Sequence, residues 1–152
     1  MTNEELKLRI TELFPQAAID ENGEWINILI PSADLPDIAL QLKQTKDLDF
    51  DFLFCLTCID WKTRLTMVYH FTSTTYRHSL VVKTDLDIKA PETVSLSNLW
   101  RTAEFHEREV YEMFGVRFNN HPDLRLLILP DGWEGKNPMR KDFDDPVNMI
   151  KL

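Results

Sequence analysis

Three β-rich runs decide the fold: FDFLFCLTCID at residues 50–60, RLTMVYHFT at residues 64–72 and RHSLVVKT at residues 77–84. Each run is rich in β-branched and aromatic residues, which suit a pleated and half-buried surface. Short polar links separate the runs, so consecutive strands are expected to turn back on one another. The stretch therefore predicts an antiparallel β-meander.

Two helices and a hairpin are predicted before the meander. A capping box followed by apolar residues at helical spacing predicts a first helix over residues 3–14. An Asn-Gly dipeptide in the link 21–23 joins the apolar runs 17–20 and 25–30, which is the signal of a β-hairpin. Apolar residues at helical spacing then predict a second helix that begins near residue 32 and runs to about residue 46.

A third helix follows the meander. Ser97 or Asn98 is expected to cap a helix from Leu99 to Phe114, and Gly115 is expected to end it. The remaining chain holds four prolines and little periodicity, which is typical of a long segment without regular structure.

The order of these elements predicts an α+β fold. We expect a single two-layer domain with a mainly antiparallel sheet and helices packed on one face. This domain would span residues 1–120, and residues 121–152 would form an irregular C-terminal docking extension of the same domain. The extension is too long for a connection and too rich in Trp, Phe, Arg and Pro for a solvated tail, which favours contact with another chain.

Composition excludes several classes of protein. The net charge of -8 argues against binding to a phosphate backbone, so no nucleic acid partner is expected. No apolar run reaches the length of about 20 residues that spans a bilayer, and the charged N-terminus does not resemble a signal peptide. A cytoplasmic chain is therefore predicted.

Residues that could bind a metal or a cofactor are few. Cys55 and Cys58 are the only cysteines, and on a strand their side chains would point to opposite faces, about 10 Å apart. They are interpreted as small apolar residues, because two thiols cannot complete an all-cysteine cluster. The histidines are scattered singly, and no glycine-rich phosphate loop is present. We expect no metal and no cofactor in this chain.

Glu107 is the clearest anomaly in the third helix, because it falls on the apolar stripe. A buried carboxylate needs a partner, and an arginine from the C-terminal segment, either Arg125 or Arg140, is expected to supply it. Glu109 is expected to point away. The alternative is a catalytic acid with a raised pKa.

Phe105 lies on the opposite side of the same helix, between Arg101, Arg108 and Glu112. An aromatic side chain within a charged surface suits a partner interface. It is equally compatible with a lone exposed Phe, or with one that the C-terminal segment covers.

From Glu107 onward the sequence resembles the thirty-kilodalton subunit family of respiratory complex I. The matching runs are EREVYEMFGVRF (107–118), HPDLR (121–125), GWEG (132–135) and PMRKDF (138–143), with CIDW (58–61) and WRTA (100–103) upstream. The residues expected to form its interface and structural signature are Phe105, Glu107, Arg108, Glu109, His121, Asp123, Arg125, Trp133, Arg140, Lys141, Asp142 and Phe143.

The resemblance implies a non-catalytic subunit in the peripheral arm of a proton-translocating NADH-quinone oxidoreductase. Its implied partners are the quinone-site (forty-nine-kilodalton-type) subunit and the small iron–sulfur subunits, on the cytoplasmic side of the cell membrane. Iron–sulfur clusters and quinone, and FMN with NADH where NADH is the donor, would belong to partner subunits. Membrane contact would be made only through the complex.

Two other functions fit parts of the sequence. The first is the equivalent subunit of a membrane-bound hydrogenase or of a ferredoxin-fed, complex I-like enzyme. The second, from a different class, is a free-standing hydrolase that uses Glu107 or Glu109 with His121.

Overall fold

Seven strands and three helices make up the computed structural model, which describes residues 1–20 and 22–150. A short 3₁₀ turn at Ser32–Asp34 leads directly into the second helix. In chain order the elements are α1 (Asn3–Leu13), β1 (Ala18–Asp20), β2 (Ile26–Leu29), α2 (Leu35–Gln44), β3 (Phe52–Asp60), β4 (Arg64–Thr72), β5 (Ser79–Asp87), β6 (Glu92–Val94), α3 (Ala103–Phe114) and β7 (Arg117–Asn119).

The central sheet has the strand order β1-β2-β5-β4-β3. The predicted meander is confirmed, since β3, β4 and β5 pair antiparallel in sequence order. β1 and β2 pair antiparallel as expected, although Glu21 of the predicted turn lies outside the described residues. β2 runs parallel to β5, so the sheet is mixed and mainly antiparallel. β6 and β7 form a second, small parallel sheet that the sequence did not indicate.

Alternation along β4 shows how the sheet makes the core. Leu65, Met67, Tyr69 and Phe71 are fully buried and belong to one apolar cluster with residues of all three helices. Trp100 packs against this cluster, because the centre of its ring lies 4.8 Å from the centre of the Phe71 ring. The α+β fold predicted from the sequence is confirmed.

The two cysteines lie on opposite faces of β3, as predicted. Cys55 is opposite His70 on β4, whereas Cys58 is opposite Met67 and lies in the core. Both thiols are free, and burial raises the pKa of Cys58 to about 12. A β-bulge at Phe54 shifts the register just before Cys55, and the pairing from Cys55 to Cys58 is regular.

The predicted start of α3 is wrong by four residues. The helix begins at Ala103, and its N-cap residue Thr102 makes no side-chain capping bond. Ser97 does not cap the helix, because its amide and hydroxyl group are both within hydrogen-bond distance of the Ser95 hydroxyl. Gly115 ends the helix as predicted, in the left-handed conformation at φ 78°.

No helix among the described residues is long and apolar enough to cross a membrane.

Candidate functional site

The C-terminal segment, defined here as residues 121–150, runs along the outer side of α3. It forms no helix or strand in the part of the chain that the structure describes. The His121 ring lies 2.9 Å from the carbonyl oxygen of Glu104, near the start of α3. The Met139 amide donates to the carbonyl oxygen of Met113, near the end of α3, at 3.1 Å. α3 therefore lies between the sheet and the C-terminal segment.

Glu112 holds the middle of the C-terminal segment. Its side chain is buried, and its carboxylate accepts hydrogen bonds from the consecutive amides of Leu127, Ile128 and Leu129 at 2.8 to 3.1 Å. These amides have no strand partner, so the carboxylate replaces the acceptors that a sheet would provide.

Arg108, one turn earlier on α3, binds the residues just before them. It is buried, and its guanidinium donates to the carbonyl oxygens of Arg125 at 3.1 Å and Leu126 at 2.6 Å. The expectation that Arg108 and Glu112 form an exposed charged surface is therefore wrong, because the C-terminal segment covers both. Phe105 remains 58% exposed, with the Arg108 guanidinium 5.5 Å from its ring centre.

Asp60, at the end of β3, anchors the returning part of the C-terminal segment. Its buried carboxylate accepts from the amides of Lys62 at 2.7 Å and Lys141 at 2.8 Å, and it lies 3.8 Å from the Arg140 guanidinium. Burial alone would raise the pKa of Asp60, but the two amides and the guanidinium outweigh it and lower the pKa.

Arg140 also donates to the carbonyl oxygens of Ile88 and Phe114, and so connects the segment to two more elements. We call this group of charged residues the clasp: Asp60, Arg108, Glu112 and Arg140. Every clasp residue uses its charge on the backbone of its own chain.

Gly115 gives the returning segment room to pass. An added Cβ would lie 2.6 Å from the side-chain nitrogen of Asn137, closer than real contacts allow. Its positive φ also disfavours other residues. Glycine therefore favours both the left-handed end of α3 and the close approach of the Asn137 side chain.

Glu107 faces inward as predicted, but the predicted arginine partner is wrong. The Ser95 hydroxyl donates to its carboxylate at 2.6 Å and the Leu96 amide at 2.7 Å. Arg125 instead pairs with Asp123 on the surface, and Arg140 pairs with Asp60. The turn that precedes α3 brings its own donors to the carboxylate, so no distant cation is needed.

Burial is the main influence on Glu107. It raises the pKa of Glu107 to about 7, against the lowering effect of the hydrogen bonds from Ser95 and Leu96. The nearby charge of Glu104 adds to the increase.

His121 lies beside this carboxylate without a strong bond to it. Its Nε2 is 3.7 Å from Glu107 and 2.9 Å from the Glu104 carbonyl oxygen, while its Nδ1 accepts from the Asp123 amide. This arrangement fits a neutral ring with the proton on Nε2. The side chains of His121 and Glu107 are fully buried and Glu109 is exposed, so these residues offer a substrate no common surface. The geometry does not support a hydrolase.

The other predicted site residues lie further along the C-terminal segment. Trp133 and Phe143 are partly buried with ring centres 6.4 Å apart, and Lys136 lies 4.5 Å from the centre of the Trp133 ring. Lys141 and Asp142 are exposed. The segment and the link after β5 line an open cleft of about 630 Å³. Its lining includes basic residues such as Arg140 and acidic residues such as Asp142.

No group of three or more His, Cys, Asp or Glu side chains could hold a metal ion within residues 1–20 and 22–150. The expected absence of a cofactor stays a prediction.

Asp60 and Glu112 were not among the residues predicted for the site. Asp60 ends a strand, and Glu112 falls on the side of α3 opposite the core, where a charged residue is usually solvated. Their only signal was their position inside the runs that carry the family resemblance.

A pH-dependent stability is expected from Glu107. Because its pKa is raised in the folded state, its contribution to stability is greatest below pH 4.5 and falls as the pH rises through about 7. Between about pH 5 and about pH 8, the wild type should lose roughly 2–3 kcal/mol more unfolding free energy than Glu107→Gln does. Urea unfolding of both proteins across this range measures the difference.

Glu109→Gln is the matched control, because Glu109 is exposed on the same helix. It should keep the pH dependence of the wild type. The same slope in Glu107→Gln as in the wild type would contradict the assignment.

These features define a class of protein: a two-layer α+β domain that holds a long, irregular C-terminal segment against its last helix. Comparison with known proteins gives the family. The chain belongs to the family of the 30 kDa subunit of respiratory-chain NADH dehydrogenase, and residues 28–147 match that family.

Several relatives carry names from this family. The C-type subunit of the NADH-quinone oxidoreductase of Moorella thermoacetica is 36% identical over 136 residues, which cover 88% of this chain and 90% of that protein. The C/D-type subunit of Phocaeicola vulgatus is 43% identical over 82% of this chain, and the C-type subunit of Chloroherpeton thalassium is 40% identical over 70%. The matches span only 24% and 45% of the latter two proteins.

Several solved structures share the fold, and two of them align with most of this chain. One is the membrane-bound sulfane sulfur reductase, an archaeal respiratory membrane complex; a chain of it aligns with a TM-score of 0.81 and 28% identity, over 93% of this chain and 85% of that one. The other is the trypsin-resistant fragment of Nqo5, with a TM-score of 0.69 and 25% identity, over 81% of this chain and 100% of that one.

Proposed function

We propose that this chain is a cofactor-free, non-catalytic subunit in the peripheral arm of a proton-translocating NADH-quinone oxidoreductase. The observation that carries the proposal is the clasp. Three of its charged residues are buried and the fourth, Arg140, is partly buried. All four bind backbone groups or one another, so they stabilise the path of the C-terminal segment and leave no charged group of the clasp free for catalysis. A rigid surface is what a subunit needs to hold its neighbours in fixed positions.

The proposed partners are the quinone-site subunit and the small iron–sulfur subunits. The name of the Phocaeicola vulgatus relative joins the C and D designations, and this chain matches about a quarter of that longer protein. The pairing of C and D in one relative supports direct contact between the corresponding subunits here. Residues 1–120 would form the domain and residues 121–152 its docking extension.

Redox centres are assigned to the partners. Iron–sulfur clusters and quinone, together with FMN and NADH where NADH is the donor, would lie in other subunits. This chain would sit peripherally on the cytoplasmic side of the membrane and contact the membrane only through the complex.

A second candidate is the equivalent subunit of a related respiratory complex with another electron donor, such as a membrane-bound hydrogenase or a ferredoxin-fed enzyme. The likeness to the sulfane sulfur reductase supports it, because that structure aligns over 93% of this chain. NADH oxidation by the purified complex, and co-purification of a flavin-bearing subunit, would separate the two candidates.

Purification of the tagged chain from native membranes in mild detergent tests the proposal. We expect the quinone-site and iron–sulfur subunits to co-purify. The chain purified alone should be colourless, free of iron and zinc, and unable to oxidise NADH. An untagged strain carried through the same purification is the control. Stoichiometric metal in the isolated chain, or recovery of the chain without any partner, would contradict the proposal.

A further inference from the structure

We infer that Phe105, Leu127 and Ile128 form a prebuilt apolar ridge, and that this ridge docks into the quinone-site subunit. The inference rests on the proposed function and deepens it, because it names the contact surface.

The ridge residues are exposed although they are apolar. Ile128 is 63% exposed, Phe105 58% and Leu127 39%. Arg108 connects them, since it lies against the Phe105 ring and also binds the backbone of residues 125 and 126. Two segments far apart in sequence thus present apolar side chains on one side of α3.

The backbone beneath the ridge is fixed from within the protein. The amides of Leu127 and Ile128 bind the buried Glu112 carboxylate, which directs the segment's polar groups inward. Burying Arg108 and Glu112 carries a desolvation cost of several kcal/mol. Leu127 and Ile128 nevertheless stay 39% and 63% exposed, so this burial does not bring their side chains into the core. An ordered loop whose apolar side chains point outward is already organised for binding, so little entropy is lost on contact.

The surroundings favour a protein partner over a lipid surface. Asp123 and Arg125 form an exposed ion pair beside the ridge, and Glu109 and Asp131 are exposed nearby in the sequence. An apolar centre with a charged rim of both signs is the usual anatomy of a protein interface. An anionic membrane would instead attract a basic cluster, and the chain carries a net charge of -8.

We assign the quinone-site subunit as the occupant and take it to be the D-type subunit. The Phocaeicola vulgatus relative, whose name carries both the C and the D designations, aligns with 82% of this chain. In that relative the two types share one name and one chain, so the D-type partner is always present at an equal ratio.

The test compares tagged wild type, Ile128→Asp, Phe105→Ala and Leu8→Asp in native membranes. Leu8 is the matched control, because it is 65% exposed on α1 and away from α3. We expect Ile128→Asp to reduce co-purification of the quinone-site subunit about tenfold or more, and Phe105→Ala to reduce it by a smaller factor. Leu8→Asp should co-purify like the wild type. Thermal melting of the isolated variants should match that of the wild type, because the altered side chains are exposed.

The outcomes distinguish failure of the ridge from failure of the proposed function. If the wild type and Ile128→Asp both retain the partner equally, the ridge is not the contact, while the proposed function stands. If the wild type itself retains no partner, both the proposed function and the ridge are overturned. Binding of the isolated wild type to phosphatidylglycerol vesicles that is lost in Ile128→Asp would also overturn the inference, in favour of a membrane contact.

Discussion

Glu112→Gln is expected to lower the free energy of unfolding by about 2–4 kcal/mol and to release the middle of the C-terminal segment. The carboxylate accepts from three consecutive amides with both oxygens. A glutamine side chain keeps one acceptor and places an amide group where a second acceptor is needed. That amide group would face the Ile128 N–H group, which donates to one of the two oxygens at 3.0 Å, and the bonds that remain would lose the charge that strengthens them.

Urea unfolding and limited proteolysis measure the two effects separately. Cleavage within residues 125–131 should become faster in Glu112→Gln, because loosened chain is the preferred substrate of proteases. Glu109→Gln, three residues earlier and exposed, should change neither quantity. Unchanged cleavage together with unchanged stability in Glu112→Gln would refute the role given to this carboxylate.

Asp60→Ala is expected to cost about 3–5 kcal/mol, because it leaves the Arg140 guanidinium without its buried counter-charge. It also removes the acceptor for the amides of Lys62 and Lys141. Asp142→Ala is the control, since Asp142 pairs with the same guanidinium but its side chain is 73% exposed. The control should lose no more than about 1 kcal/mol.

The Asp60 contribution should depend on pH in the opposite sense to that of Glu107. Its folded-state pKa is lowered, so its stabilisation is complete above the ordinary pKa of 3.8 and is lost as the pH falls through the lower folded value. A double-mutant cycle with Arg140→Ala would isolate the coupling between the two side chains. A coupling energy near zero would show that the ion pair at 3.8 Å does not hold the segment.

Variants of the clasp residues Glu112 and Asp60 should affect assembly as well as stability. If the C-terminal segment is the docking extension, Glu112→Gln and Asp60→Ala should weaken assembly because the surface loses its shape. Ile128→Asp should weaken assembly while leaving the fold unchanged. Comparing the loss of stability with the loss of partner therefore distinguishes residues that shape the surface from residues that contact the partner.

The sequence by itself determined the features that depend on local period and composition. Composition and short polar links placed the meander strands. Alternation put Cys55 and Cys58 on opposite faces, because side chains of a strand alternate regardless of what surrounds them. Helical period placed Glu107 inward and Phe105 and Glu109 outward. Gly115 was recognised as the end of α3, because only glycine adopts positive φ without cost.

Only the tertiary structure decided which groups meet. The burial of Arg108 and Glu112 and the anchoring of Lys141 by Asp60 depend on the path of the C-terminal segment, which has no period to read. The partners of Glu107 depend on the turn that precedes α3. A charged residue on the outer side of a helix looks the same in sequence whether it faces water or the backbone amides of a distant segment. The partners are 15 to 81 residues apart in sequence, so no local pattern relates them. The balance between the desolvation cost of the charged group and its hydrogen bonds is set only once the segment has packed.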